Sequence, residues 1–164
     1  MYYFAYGSNM SEKRLTRRIP AMRLGVAVLR GYMLAFTKPS EADGSAKCDV
    51  CPTGNENSLV YGVLYEIDPE HKPVLDRYEG LGYGYTSETL EVTHNGRKLS
   101  ALAYVAVNRD ETLKPFHWYK EHVVQGAVEN DLPQEYVNGI KSVKSVPDPD
   151  GKRSAMELEI YRNP

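Results

Sequence analysis

The fold is decided by residues 86–107, which read TSETLEVT-HNGR-KLSALAYVAV. Asn95-Gly96 between two runs rich in β-branched and aromatic residues predicts a two-residue type I′ hairpin turn. Such a turn sets the register, so that Val92 opposes Leu99, Leu90 opposes Ala101, Ser87 opposes Tyr104, and Tyr85 opposes Ala106. With no bulge, Tyr85 and Tyr104 are then diagonal neighbours on one face of the hairpin.

The segment before the hairpin predicts a buried strand followed by a helix. Leu59–Ile67 is almost continuously apolar, which is typical of a central strand. Asp68-Pro69 is an N-cap residue followed by proline at the first helical position, and the helix should run to about Tyr78. Glu79-Gly80 should end it.

The two ends of the chain differ in predicted structure. The first part is mostly β, with strands at Tyr2–Tyr6, Leu24–Leu29 and Tyr32–Thr37 and one short helix, Glu12–Arg18, capped by Ser11. The last third has helical spacing, with helices opened by Pro115 and by Leu132-Pro133. Strands first, with helices inserted and appended, predict an α+β fold with a mixed or closed sheet.

Length and composition indicate a single domain and exclude some classes of partner. The 164 residues match one domain spanning 1–164, and the net charge of −2 provides no broad positive field for nucleic acid. The longest nearly apolar stretch, Leu99–Val107, is too short to cross a bilayer, and the N-terminus lacks a basic signal region. We therefore expect a cytoplasmic protein without nucleic-acid or membrane partners.

Cys48 and Cys51 form the sequence's only C-x-x-C. A tetrahedral zinc site needs four ligands, and the sequence holds no second cysteine pair. The segment looks extended, and positions i and i+3 of a strand point to opposite faces, which disfavours a disulfide. The sequence favours two reduced thiols over a redox pair or half a zinc site. His71, His94, His117 and His122 lack helical metal-pair spacing, and we interpret them as surface or helix-packing residues.

Tyr6-Gly7-Ser8-Asn9 is the first candidate for chemistry. A strand runs into a glycine that permits close backbone approach, and the amides after it can hold a carboxylate or an oxyanion. Ser8 and Asn9 add side-chain hydrogen bonds. The alternative is a turn with capping residues, which the same residue types also favour.

Glu79 is the second candidate, because it lies at a predicted helix C-terminus. Carbonyl dipoles there disfavour an anion, so a Glu79 shielded from water would be suited to exchanging protons. An ordinary exposed glutamate is the alternative. The 13 tyrosines also suit a pocket for a small zwitterion, although they are equally common in strand-rich proteins.

Three ordered motifs resemble those of the γ-glutamylcyclotransferases: Phe4-Ala-Tyr-Gly-Ser-Asn-Met10, Leu75-Asp-Arg-Tyr-Glu-Gly80, and Gly126-Ala-Val-Glu-Asn-Asp-Leu-Pro-Gln-Glu-Tyr136. The Y-G-S-N form is similar to that of the γ-glutamyl-dipeptide enzymes. The resemblance implies a small mixed β-barrel flanked by helices. It also implies conversion of a γ-glutamyl amide to 5-oxoproline and a free amine, with no cofactor and no metal.

The resemblance also implies roles for individual residues. Glu79 would be the catalytic acid and base, and the substrate-binding residues would be Tyr6, Gly7, Ser8, Asn9, Tyr85, Tyr104 and Tyr119, with Tyr83 as the alternative to Tyr85. The partner would be a small γ-glutamyl substrate, with a homodimer left open. Two other functions are compatible: a catalytically silent γ-glutamyl or amino-acid binding module, and a biosynthetic cyclotransferase that deprotects a larger γ-glutamylated acceptor.

Overall fold

A computed structural model describes residues 1–162, and five of its strands close into a barrel. In barrel order these are β1 (Tyr2–Ala5), β5 (Leu59–Glu66), β2 (Met22–Arg30), β6 (Tyr85–His94) and β7 (Arg97–Ala106). A parallel bridge between Tyr3 and Leu102 joins β1 to β7 and closes the sheet, while the other neighbours are antiparallel. The predicted α+β fold with a mixed, closed sheet is confirmed.

The β6–β7 hairpin has the predicted turn and register. Asn95 and Gly96 both have positive φ, +48° and +76°, as a type I′ turn requires. Pairing is uninterrupted from His94–Arg97 to Tyr85–Ala106, and Ser87 opposes Tyr104. Tyr85 and Tyr104 therefore share one face, and no bulge separates them.

Strands β3 (Tyr32–Pro39) and β4 (Ala46–Pro52) form a separate two-stranded sheet rather than part of the barrel. Asp49 on β4 connects this small sheet to the barrel. Its fully buried carboxylate accepts a hydrogen bond from the Ala106 amide at 2.8 Å and pairs with Arg109 Nε at 2.5 Å. A buried carboxylate satisfied in this way holds β4 against the end of β7.

The helix after β5 follows the predicted signals. Asp68 accepts a hydrogen bond from the Glu70 amide and caps a 3₁₀ turn, Pro69–His71, which continues into α2, Lys72–Glu79. Gly80 ends α2 in the left-handed conformation, with φ of +64°. Glu79 is therefore the last residue of its helix.

The first helix is shorter than predicted. A 3₁₀ turn, Ser8–Met10, precedes α1, which covers Glu12–Thr16 instead of Glu12–Arg18. Ser11 occupies the N-cap position, but its side chain makes no capping hydrogen bond. The 3₁₀ turn places residues 8–10 shortly after the end of β1.

The C-terminal third contains α3 (His117–Glu129), α4 (Gln134–Ser142) and α5 (Gly151–Leu158). Helix α3 begins two residues after Pro115 and buries Trp118, Tyr119 and Val123. Within residues 1–162, no helix is long and apolar enough to span a membrane. The sequence leaves the secondary structure of the tail, Lys152–Pro164, open, and its last two positions lie outside the described residues.

Gly126 of α3 lets this helix approach the turn at residues 8–10. A Cβ atom at this position would lie 2.6 Å from Met10 Cβ and 2.6 Å from the Ser11 nitrogen. Gly139 of α4 is a matched helical glycine whose added Cβ would have no neighbour within 4 Å.

We expect Gly126→Ala to lower the free energy of unfolding by about 1–3 kcal/mol, because the methyl group overpacks the contact with the turn. Gly139→Ala should raise it by about 0.5–1 kcal/mol through helix propensity alone. Urea denaturation of both variants measures the difference. Equal effects of the two substitutions would show that the close contact at Gly126 has no energetic consequence.

Candidate active site

One cavity lies where β1 and β7 end and β6 begins, and it brings together residues far apart in the sequence. All eight residues singled out in the sequence line it: Tyr6, Gly7, Ser8, Asn9, Glu79, Tyr85, Tyr104 and Tyr119. Tyr3 and Cys48 complete the lining. Tyr83 is 60% exposed and does not line the cavity, so Tyr85 is the tyrosine of this segment that does.

Gly7 brings the loop at residues 6–9 against β4. A Cβ atom on Gly7 would lie 3.0 Å from Cys48 Cβ and 3.5 Å from the Tyr119 hydroxyl oxygen. Contacts this tight leave almost no room for a side chain, so glycine is needed for close approach rather than for an unusual φ. Ser8 and Asn9 begin the following 3₁₀ turn, and the first amides of such a turn have no acceptor within it.

Asn9 connects this loop to the candidate catalytic residue. Its Nδ2 donates to the Tyr3 hydroxyl at 3.0 Å and to Glu79 Oε1 at 2.9 Å. Its Oδ1 is buried and has no hydrogen-bond partner among residues 1–162. Buried polar atoms are nearly always satisfied, so this oxygen, on a side chain that lines the cavity, is a candidate acceptor for a bound ligand.

Glu79 is held by two neighbours through a single oxygen. Oε1 accepts from Asn9 and also pairs with Arg18 Nη1 at 3.1 Å, while the Arg18 guanidinium lies over the Tyr78 ring at 4.9 Å. Within the described chain, Oε2 accepts no hydrogen bond from the protein. The side chain is only 15% exposed, so one carboxylate oxygen is fixed and the other remains available for proton transfer.

The hydroxyl groups of Tyr6 and Tyr104 are used inside the protein. Tyr104 donates to Asp76 Oδ1 at 2.6 Å, and Tyr6 donates to the Tyr104 carbonyl oxygen. Asp76 lies on α2 three residues before Glu79, so the Tyr104 hydroxyl positions the helix that carries Glu79. The bond geometry leaves the rings of both tyrosines, rather than their hydroxyl groups, to contact a ligand.

Tyr85 and Tyr119 bind the backbone of Cys48 from two elements. The Tyr85 hydroxyl donates to the Cys48 carbonyl oxygen at 2.7 Å, and the Cys48 amide donates to the Tyr119 hydroxyl at 2.9 Å. These two bonds join β6 and α3 to β4. The Tyr119 hydroxyl acts as an acceptor here, so its own proton is available to another partner.

Burial keeps the phenol and thiol groups of the cavity neutral. It raises the pKa of Tyr3, Tyr6, Tyr85 and Tyr119 well above the ordinary value for tyrosine, with the Glu79 charge adding to the effect at Tyr3, Tyr85 and Tyr119. Burial also raises the pKa of the Cys48 thiol to about 12. A thiol with this pKa carries almost no thiolate at neutral pH and is a poor nucleophile.

Both cysteines are free thiols, as the sequence favoured, with Cys48 buried and Cys51 partly exposed. Cys51 Sγ lies 3.6 Å from Asp49 Oδ2. No group of three or more histidine, cysteine, aspartate or glutamate side chains within residues 1–162 is arranged to hold a metal ion. His122 is a packing residue: it is fully buried between Glu157 and Tyr161, and burial lowers its pKa to about 4.

Sequence reasoning missed Tyr3, which lines the cavity, and Arg18 and Asp76, which act on the site through other residues. Arg18 lies 61 positions from Glu79, and Asp76 lies 28 positions from Tyr104. No local pattern marks a partner at such separations. Tyr3 could have been inferred from Asn9, because a buried asparagine needs hydrogen-bond partners for its side-chain amide and Tyr3 is close in the sequence.

Comparisons with known proteins agree with this geometry. Residues 59–140 match the model of the AIG2-like family. The γ-glutamylcyclotransferases of Bos taurus and Mus musculus are 33% and 34% identical over 151 residues, which cover 87% of this chain and 78% of each relative.

A solved structure described as a γ-glutamyl cyclotransferase superimposes with a TM-score of 0.88 at 27% identity, covering 100% of this chain and 99% of that one. It shares the fold along its whole length, including the closed barrel that places the loop at residues 6–9 beside Glu79. Sequence identity above 30% over most of both chains, together with this fold, shows that the protein belongs to the γ-glutamylcyclotransferase family.

Proposed function

We propose that this protein converts a γ-glutamyl amide, in particular a γ-glutamyl dipeptide, to 5-oxoproline and a free amine or amino acid, with Glu79 as general acid and base. The observation that carries the proposal is the Glu79 carboxylate, held by Asn9 and Arg18 through Oε1 with Oε2 unbonded, in a cavity of neutral tyrosines. The proposal retains the expected cytoplasmic location, and it involves no cofactor because the substrate supplies its own nucleophile.

The reaction is an intramolecular aminolysis. The α-nitrogen of the γ-glutamyl group attacks its own γ-carbonyl carbon, which forms the ring C–N bond. The α-ammonium must first lose a proton, and Glu79 Oε2 accepts it. When the tetrahedral intermediate collapses, the original amide C–N bond breaks and Glu79 returns the proton to the leaving nitrogen. The attacking nitrogen also gives up one of its two remaining protons to become the lactam N–H, and this proton passes to the released amine, which leaves as an ammonium ion. Atoms and charge then balance, and the carboxylate is regenerated.

Two features of the cavity would support this chemistry. The unpaired Oδ1 of Asn9 is a suitable acceptor for the α-ammonium, and it would hold that group next to Glu79. The amides that begin the 3₁₀ turn at Ser8, together with the Tyr119 hydroxyl, are donors for the developing oxyanion. Fixing the flexible substrate as a near-attack ring would supply much of the acceleration through proximity.

Arg18 holds the Glu79 carboxylate in place through an ion pair with an N–O distance of 3.1 Å. A silent binding module would not need a carboxylate held in this way. A cyclotransferase acting on a larger acceptor uses the same residues around the γ-carbonyl, so only the leaving-group side of the site separates it from a dipeptide enzyme.

We expect Glu79→Gln to lower 5-oxoproline formation by about 10²–10⁴-fold while the protein stays folded, because the amide cannot accept the ammonium proton. A turnover assay with a γ-glutamyl dipeptide measures the loss. Calorimetric binding of the same dipeptide should persist, because the loop at residues 6–9 is unchanged. The matched control is Glu91→Gln, an exposed glutamate on the hairpin, 62% accessible at its side chain, which should leave turnover unchanged.

Normal turnover in Glu79→Gln would remove Glu79 from the mechanism. No turnover in the unaltered protein, with binding of the dipeptide intact, would favour the silent binding module instead.

We expect Asn9→Ala to lower kcat/KM by about 10- to 100-fold, because the variant loses both the donor that orients Glu79 and the acceptor proposed for the ammonium. Its Tm should fall by only a few degrees, since about two hydrogen bonds are lost. Asn138→Ala on the exposed face of α4 is the control. Unchanged kinetics together with a large loss of stability would assign Asn9 to the turn alone.

A further inference from the structure

An outer cavity of about 110 Å³ adjoins the active site and is lined by cations. It shares Ser8, Glu79, Tyr85 and Tyr119 with the inner cavity and adds four positively charged side chains: Arg14, Arg18, Lys38 and Lys47. Glu79 therefore lies between the two cavities. A substrate whose γ-glutamyl group fills the inner cavity would extend its leaving group into the outer one.

Three of the four cations already have carboxylate partners: Arg14 with Glu157 at 2.6 Å, Arg18 with Glu79 at 3.1 Å, and Lys47 with Asp43 at 2.7 Å. Lys38 is different. Across residues 1–162 its ammonium group has no hydrogen-bond acceptor and no ion-pair partner. The nearest stabilising group is the face of the Tyr85 ring, whose centroid is 5.0 Å from Nζ.

Lys38 is also buried, with 9% of its surface exposed. Desolvation lowers its pKa below the ordinary lysine value, although Glu79, Glu41 and Asp43 oppose the shift from beyond ion-pairing distance. The stem of Lys38 is buried, but its ammonium nitrogen is still accessible to solvent at the outer cavity. An anion that enters this cavity can therefore pair with it.

A bulge in the small sheet sets the position of Lys38. Phe36 pairs with Cys48, but the register then shifts by one residue, so that Lys38 lies opposite Lys47. Like charges directly opposite each other destabilise a sheet, and bulges commonly re-aim side chains next to active sites. Asp43 forms an ion pair with Lys47, so Lys38 is the lysine of this pair without a carboxylate partner in the described chain.

We propose that Lys38 is a specificity-determining residue that binds the carboxylate of the leaving amino acid. This inference rests on the proposed function and adds to it the residue that recognises the leaving amino acid by its free carboxylate.

The test compares two substrates that differ only in this charge, γ-L-glutamyl-L-alanine and γ-L-glutamyl-L-alaninamide. We expect the unaltered protein to prefer the acid by about 10- to 100-fold in kcat/KM, as for a charge-assisted hydrogen bond. In Lys38→Met, kcat/KM for the acid should fall by the same factor and that for the amide should not change. Lys38→Arg should restore most of the preference.

Lys98→Met is the control, because it removes the same charge from an exposed hairpin lysine that is outside both cavities. It should keep the preference for the acid. The melting temperature of Lys38→Met should equal or exceed that of the unaltered protein, since the variant removes a partly desolvated charge that has no carboxylate partner. If Lys38→Met does not fold, Lys38→Gln replaces it, and a failure of both to fold would assign Lys38 to folding and overturn the proposal.

A retained preference in Lys38→Met, or an equal loss on both substrates, would also overturn the proposal. If the unaltered protein releases no 5-oxoproline from either compound, the proposed function fails and calorimetric binding decides the role of Lys38. Tighter binding of the acid that disappears in Lys38→Met would support the carboxylate site. Equal binding, or no binding, of the two compounds would contradict it.

Discussion

The structure depends on the closure of the barrel by the parallel bridge between β1 and β7. Because β1 is held between β5 and β7, its end is fixed, and the loop after it emerges where β7 ends and β6 begins. Strand β1 can lie this close to β5 because residue 62 of β5 is a glycine. A Cβ atom on Gly62 would lie 2.5 Å from the Ala5 carbonyl oxygen. The same closure places Tyr104 beside Asp76, and through Asp76 it orients the helix that ends at Glu79.

The active site leaves a few polar groups without a protein partner. Three tyrosine hydroxyl groups of the cavity donate to backbone or carboxylate oxygens, which holds their rings in place. In the inner cavity, Asn9 Oδ1 and Glu79 Oε2 have no hydrogen-bond partner in the described chain. At the outer cavity, the Lys38 ammonium has no carboxylate partner and Arg14 Nε has no acceptor. A substrate with an ammonium group and a second carboxylate would pair with Asn9 and with Lys38.

Local patterns in the sequence predicted the elements and much of the site. Asn95-Gly96 determines the hairpin register by itself, because a two-residue turn leaves only one pairing. Asp68-Pro69 starts the 3₁₀ turn that leads into α2, and Gly80 ends α2, for the same kind of local reason. The limits of local reasoning appear at Glu12–Arg18, where α1 ends two residues early at Thr16, and at β3 and β4, whose separation from the barrel no local pattern indicates.

By itself, the sequence determined the α+β class, the hairpin register, the ends of α2 and the family motifs, all of which depend on neighbouring residues or on ordered short segments. Only the tertiary structure decided which side chains meet. Glu79 lies 70 residues from Asn9 and 61 residues from Arg18 in the sequence. The position of Lys38 depends on a bulge in β3, the strand that pairs with the strand of Lys47. Such contacts arise from barrel closure and packing, because distance in space is set by the whole fold and not by spacing along the chain.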